Sequence, residues 1–221
     1  MLSSWEKSKN RSKYHFDHFK NDPQFDTVIK LGKISADYSE DVRHAVETAV
    51  PATWRNRGAV AKTRPEEELA SEDYDLERFG YGVDYQITHL NWNITPNLKK
   101  ISELFGLADC MERIHVQKPG EVWNLHLDKL EKWAPDSPET VIRIQIALTD
   151  WEQGHFWSYG NHIHSQWHAG DITTFDWQNI PHSTANAGHS PRVTFQLTGV
   201  ITEKTTEFLN QLQTQKNYNL N

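Results

Sequence analysis

The chain has 221 residues, with 23 Lys and Arg against 30 Asp and Glu, a formal net charge of -7 and a pI near 5.9. That length suits one compact domain, and an acidic balance without a long Lys/Arg block argues against nucleic-acid binding. The 9 Trp, 9 Phe and 7 Tyr supply a core despite a mean hydropathy of -0.74, so the polarity belongs to loops and surface and not to a disordered chain. A single cysteine, Cys110, excludes an internal disulfide, residues 1–20 lack the apolar stretch of a signal peptide, and no run reaches membrane-spanning length, so a cytoplasmic protein without membrane contact is expected.

Residues 1–33 read as a polar, irregular arm with Tyr14, Phe16, Phe19 and Phe25 as anchors. Residues 35–50 predict a helix with Val42, Ala45, Val46 and Ala49 on one face and Pro51 as its stop. The acidic stretch 63–79, with Pro65 near its start, reads as helix or ordered loop. Thr95 and Pro96 open a stronger helix through Phe105, with Leu98, Ile101, Leu104 and Phe105 at helical spacing and Gly106 at its end.

Beyond Cys110 the texture changes to short alternating runs broken by Pro and Gly, the pattern of a sandwich or barrel. Strands are predicted over 113–117, 122–127, 141–148, 155–159, 164–168, 171–175 and 192–201, and a closing helix over 204–216 that carries Phe208, Leu209 and Leu212. The helix packs on the barrel or dimerises, so a monomer or homodimer is expected. In 141–148, Ile142, Ile144, Ile146 and Leu148 oppose Arg143 and Gln145; in 192–198, Val193, Phe195 and Leu197 oppose Arg192, Thr194, Gln196 and Thr198. The polar faces are either solvated or the lining of a polar lumen.

His126 and Asp128, one residue apart in Asn124-Leu125-His126-Leu127-Asp128, leave the same face of an extended strand. His182 follows in Ile180-Pro181-His182-Ser183, and Arg192 comes ten residues later. A His-x-Asp pair is weak by itself in a chain with 12 His. With the distal His it makes the two-histidine, one-carboxylate set that binds iron(II) on one face and leaves positions open. Arg192 adds a planar fork suited to the far carboxylate of a dicarboxylic acid.

On these four residues the half from Arg113 to Thr202 resembles the double-stranded β-helix of the iron(II)/2-oxoglutarate-dependent oxygenases. The aspartyl/asparaginyl β-hydroxylase-like branch is the nearest in flavour, through Arg143-Ile144-Gln145-Ile146-Ala147-Leu148, Trp151, Trp167-His168-Ala169-Gly170-Asp171 and Pro181-His182-Ser183-Thr184-Ala185-Asn186. Two positions depart from that branch. Gln145 stands where it carries a His, and Asp128 is kept where its named members can lack the carboxylate.

The resemblance implies a mainly β fold: a jelly-roll, cupin-like barrel over 111–202 in one oxygenase domain, buttressed by a helical and irregular segment, 1–110, and a C-terminal helix, 203–221. It implies His126, Asp128 and His182 as ligands of Fe(II), Arg192 on 2-oxoglutarate, O2 as oxidant, and succinate and carbon dioxide as co-products. Arg143 is expected on 2-oxoglutarate or on a substrate carboxylate, unless it forms a structural ion pair. Gln117, Asn124 and Thr194 are further co-substrate candidates, unless they satisfy backbone groups. Hydroxylation is the default outcome, because Asp128 fills the place that halogenating relatives leave for halide. The implied substrate is an amino acid, a small carboxylate-bearing molecule or a peptide side chain. His155, His162, His164 and His168 read as structural and not as a second metal site, and Trp123, Trp157 and Trp177 as core. The competing readings are a Zn or Mn cupin isomerase or hydrolase, which needs no Arg192, and a 2-oxoglutarate sensor without turnover.

Overall fold

The structure, a computed structural model, describes residues 28–52, 88–91, 93–128, 130–160, 162–177 and 180–220. The expected arm anchors, Tyr14 to Phe25, and the 63–79 segment lie outside the described residues. Twelve strands and three α-helices are described: β1 Val28–Ser35, α1 Ser39–Thr48, β2 Val50–Ala52, β3 Thr88–Asn91, α2 Pro96–Phe105, β4 Ala108–Gln117, β5 Val122–His126, β6 Val141–Ala147, β7 His155–Tyr159, β8 His162–His164, β9 Asp171–Phe175, β10 His182–Asn186, β11 Arg192–Val200, α3 Glu203–Gln215 and β12 Asn217–Asn219.

The strands form an eight-stranded sheet, in the order β12-β1-β9-β6-β11-β4-β3-β2, and a four-stranded sheet, β5-β10-β7-β8. From β4 to β11 the chain changes sheet at every step except the β7–β8 hairpin, so it winds as a double-stranded β-helix, the jelly roll expected from the sequence. β1 and β12 extend the large sheet at one edge, β3 and β2 at the other.

Two apolar clusters flank the large sheet. One lies between its outer face and the helices, with Leu98, Ile101, Ile144, Phe195 and Leu212 among its members. The other lies between the sheets and includes Val28, Trp157, Tyr159 and Phe175. Alternation along β6 sends Ile144 and Ile146 to the first cluster and Val141 and Ala147 to the second. On β11, Val193, Phe195 and Leu197 face the helices, while Arg192, Thr194, Gln196 and Thr198 are also buried. The polar face is therefore a lumen lining and not a solvated surface.

Helix ends follow local chemistry. Thr95 caps α2 by accepting from the Leu98 N–H, Pro96 sits in the first turn, and Gly106 ends the helix with φ 59. Thr202 and Thr205 form a reciprocal capping box at the start of α3.

Several sequence expectations are corrected. The first helix begins at Ser39 and not at residue 35, because β1, which starts within the stretch 1–33 expected to be irregular, runs on through Ser35. β1 hides from pattern reading because its buried residues Leu31 and Ile34 are three apart, across a register shift at Gly32. The strand expected at 164–168 is instead β8, His162–His164, since the chain turns at Gln166 with φ 59. β5 stops at His126, β10 was not expected at all, and the segment read as a helical and irregular buttress contributes three strands, β1 to β3.

Gly120 and Gly170 share nearly the same φ, 88 and 89, but a Cβ at Gly120 meets open space while one at Gly170 falls 2.1 Å from the Ile34 carbonyl oxygen. Gly120→Ala should cost only backbone strain, about 1–3 kcal/mol, and Gly170→Ala clearly more. Urea unfolding of both variants measures the difference; equal losses would contradict the described contact.

Candidate metal centre and anion pocket

β10 runs antiparallel to β5 with His182 opposite His126, so two histidines far apart in sequence become cross-strand neighbours with ring centroids 4.1 Å apart. Asp128 lies two residues past His126, just beyond the strand. Its Oδ1 is 3.7 Å from His126 Nε2 and its Oδ2 is 3.7 Å from His182 Nε2. All three ligand atoms lie within 4.8 Å of one another, and this is the one such His/Cys/Asp/Glu group among the described residues. Ligands about 2.0–2.2 Å from a shared ion sit roughly 3 Å or a little more apart, so small adjustments would close this set on a metal.

The surroundings orient the three side chains. His182 Nδ1 lies 3.2 Å from the Ile180 carbonyl, which fixes the proton there and leaves the Nε2 lone pair for a metal. The ring stacks on Tyr159 at 5.6 Å and meets Phe175 edge-on at 4.8 Å. Asp128 is only 3% exposed, and Arg143 Nη1 donates to its Oδ2 at 2.5 Å, while Arg143 Nε donates to Thr198 Oγ1 at 3.1 Å. Arg143 therefore sits on the ligand carboxylate, the structural ion pair that the sequence left open.

Arg192 is enclosed differently. It is 4% exposed, its guanidinium lies 4.7 Å over the Trp157 ring, and Nε donates to Gln117 Oε1 at 3.1 Å. Among the described residues its Nη1 has no hydrogen-bond partner. Burial pulls the guanidinium down to about 10, so it is still charged at neutral pH but in want of an anion. Gln117 is fully buried and holds Thr184 through Nε2, at 3.1 Å to the hydroxyl and 3.3 Å to the carbonyl.

The triad histidines, Arg143 and Arg192 line one cavity together with Thr194, Arg113, His115, Gln145, Gln196 and Trp123. Gln117 is not among its lining residues and touches Arg192 instead, and the side chain of Asn124 is outside the described residues. Arg113, His115 and Gln196 were not singled out from the sequence; the signal was the alternation Arg113-x-His115-x-Gln117, the same pattern as on β6. Gln145 Nε2 donates to Gln196 Oε1 at 2.9 Å, which leaves Gln145 Oε1 and Gln196 Nε2 unsatisfied beside the lumen. Trp157 and Trp123 are lumen walls as well as packing residues, whereas Trp177 is core, donating to the Val141 carbonyl. His155 is held between the Glu152 N–H and the Ser190 carbonyl, and burial lowers its basicity.

No protein-family model matches the chain, and no curated protein matches it in sequence. Among solved structures it is similar to a prolyl hydroxylase from Trichoplax adhaerens in complex with a hypoxia inducible factor oxygen degradation domain peptide fragment, at 10% identity and a TM-score of 0.53, over 94% of this chain and 97% of that one. It also matches a cupin-superfamily sugar phosphate isomerase from Silicibacter pomeroyi (11% identity, TM-score 0.36, 53% of this chain and 62% of that one). A third match is a Cupin 2 conserved barrel domain protein from Salinispora arenicola (14%, 0.32, 56% and 84%). At such identities the likeness is one of fold. The chain is a double-stranded β-helix protein with a two-histidine, one-carboxylate cluster in its lumen. Among the described residues, no helix is long and apolar enough to cross a membrane.

The cluster predicts one divalent-metal site per chain. Calorimetric titration of the chelator-stripped protein with Fe(II) under anaerobic conditions, or with Mn(II), should give unit stoichiometry. His182→Ala or Asp128→Ala should weaken it at least about 100-fold. Binding should also fall on acidification, because histidine must be deprotonated to ligate. Unchanged affinity in both variants would refute the site.

Proposed function

We propose that the chain is a non-haem iron(II)/2-oxoglutarate-dependent dioxygenase that hydroxylates an unactivated C–H bond. The observation that carries the reading is the pairing, in one lumen, of the His126/Asp128/His182 cluster with a buried Arg192 whose Nη1 has no partner among the described residues. A cupin isomerase or hydrolase would need the first and not the second. The donor set fits iron(II): two neutral imidazoles and one carboxylate, with the other positions left to co-substrate and oxidant.

In this reading His126, Asp128 and His182 hold the ion, and Arg143 keeps one oxygen of Asp128 occupied so that the other is offered to the metal. Arg192 pairs the far carboxylate of 2-oxoglutarate, with Gln117 fixing its Nε and Trp157 supporting its plane. Thr194 lies beside it on the same face of β11. In the same lining, Gln196 Nε2 is a further donor for the oxo acid and Gln145 Oε1 an acceptor for a substrate N–H or O–H. When bound, iron(II) with 2-oxoglutarate and O2 supplies the oxidising power for C–H hydroxylation, releasing succinate and carbon dioxide. The aromatic walls exclude water from that chemistry.

The sequence likeness to the aspartyl/asparaginyl β-hydroxylase-like branch belongs to this proposal, as does a substrate that is an amino acid, a small carboxylate-bearing molecule or a peptide side chain. The prolyl hydroxylase with a similar fold was solved with a peptide. A peptidyl substrate is therefore tested first among these.

Anaerobically purified protein, given Fe(II), labelled 2-oxoglutarate and air, should release succinate. Arg192→Ala should raise the KM for 2-oxoglutarate at least about tenfold, Arg192→Lys should restore part of it, and His182→Ala should abolish turnover by loss of metal. Gln117→Leu should act like a mild Arg192 variant, in KM more than in kcat. A melting temperature raised by 2-oxoglutarate with no succinate under any substrate would mark a sensor, and insensitivity of KM to Arg192→Ala would remove that residue from the site.

A further inference from the structure

A second cavity, of about 460 Å3, shares no lining residue with the metal lumen. Its walls come from β1, β9, His164 at the end of β8, Trp167 and the last turn of α3, so it fills the seam where the large sheet approaches the edge of the small one.

The seam owes its chemistry to an irregularity in β1. The β1–β9 register runs Lys30↔Thr173, Gly32↔Ile172 and Lys33↔Asp171, with the extra residue between Lys30 and Gly32. Thr173 and Asp171 are two apart on β9 and share a face, so their partners Lys30 and Lys33 share that face as well, although they are three apart. Lys216, at the C-cap of α3, joins them around the cavity. Among the described residues no carboxylate is ion-paired with any of the three. Asp171, the one acid in the lining, already accepts the His168 N–H.

These lysines are not needed to cap the helix. The Lys33 N–H bonds the Lys216 carbonyl, and Gln213 Nε2 bonds the Lys30 and Leu31 carbonyls, so backbone and amide groups already tie α3 to β1. The apolar lining comes from Leu31, Ile172 and Leu212 on the helix side of the large sheet and from Trp167 on its other side. His164 stacks on Trp167 at 5.3 Å; burial and the Lys30 charge hold its imidazole at about 4, so at pH 7 it is neutral and adds a hydrogen-bonding group but no charge.

We propose that this seam cavity is a second ligand site, for a small molecule with an anionic headgroup, carboxylate or phosphate, on an apolar body. The lysines supply the charge, the Trp167 and leucine surfaces take the body, and the size lies in the ordinary range for small-molecule pockets. The site does not depend on a metal or on the oxygenase reading.

The test uses phenylphosphate and phenylacetate on the full chain, followed by calorimetry and tryptophan fluorescence, with inorganic phosphate and benzyl alcohol as charge-only and body-only probes. At least one of the two anions should bind saturably at one per chain, and the better one names the headgroup. Lys30→Gln/Lys33→Gln/Lys216→Gln should weaken it at least about tenfold, and Lys30→Glu alone, at an exposed position, should do so without lowering the melting temperature. His182→Ala and Arg192→Ala should leave it unchanged. The proposal fails if neither anion binds below about 10 mM, if the lysine variants bind as well as the parent, or if benzyl alcohol or inorganic phosphate binds as tightly as both. It also fails if Arg192→Ala removes binding, since the probe would then occupy the lumen.

Discussion

A guanidinium buried without a carboxylate is expensive, and the lumen is organised around that expense. Among the described residues, Arg192 gives up its hydration for one neutral hydrogen bond, from its Nε to Gln117, and for the face of Trp157. Neither returns what a charged partner would, because an amide dipole and a ring quadrupole are weak substitutes for a full negative charge. Arg143 shows the contrast within the same lumen: there the partner is the Asp128 carboxylate and the side chain is spent. Two arginines on one polar lining thus have opposite chemical standing. One is ion-paired to Asp128, and the other is buried beside only neutral groups among the described residues.

The ligand cluster follows from strand order. β5 and β10 come from opposite ends of the double-stranded winding, yet the jelly roll makes them neighbours, and the register sets His182 against His126. A one-residue slip would turn His182 to the outer face. The ring contacts with Tyr159 and Phe175 and the Ile180 carbonyl resist such a slip and fix the tautomer together. This geometry needs alternation and pairing more than particular residues, which is why a prolyl hydroxylase 10% identical to this chain shares its fold along nearly its whole length.

Much of this was legible in the sequence, and the reason is periodicity. β6 and β11 alternate strictly, so their polar and apolar faces follow from the sequence, and the His126, Asp128, His182 and Arg192 spacing points to one place in the barrel. The choice between solvated and lumenal polar faces was not legible, because it depends on the second sheet covering them. β10 escaped notice since His-Ser-Thr-Ala-Asn has little β-branched or aromatic content, and it forms a strand only because β5 and β7 flank it. The partner of Arg143 was likewise a matter of tertiary placement, since Asp128 lies fifteen residues away along the chain.

The failures of pattern reading coincide with the sites themselves. In β5 the pairing with β10 shifts between His182↔His126 and Thr184↔Trp123, so positions 124 and 125 of one strand oppose Ser183 alone on the other. Trp123 and His126 both reach the lumen although strict alternation would separate them, and Leu125 is turned outward, 68% exposed. The shift in β1 does the same for Lys30 and Lys33 at the seam. In each case one extra residue converts a spacing of three into a shared face, and each shared face lines a cavity. The irregularities that hide these strands from a period-of-two reading are therefore also what gives the fold its two candidate binding surfaces.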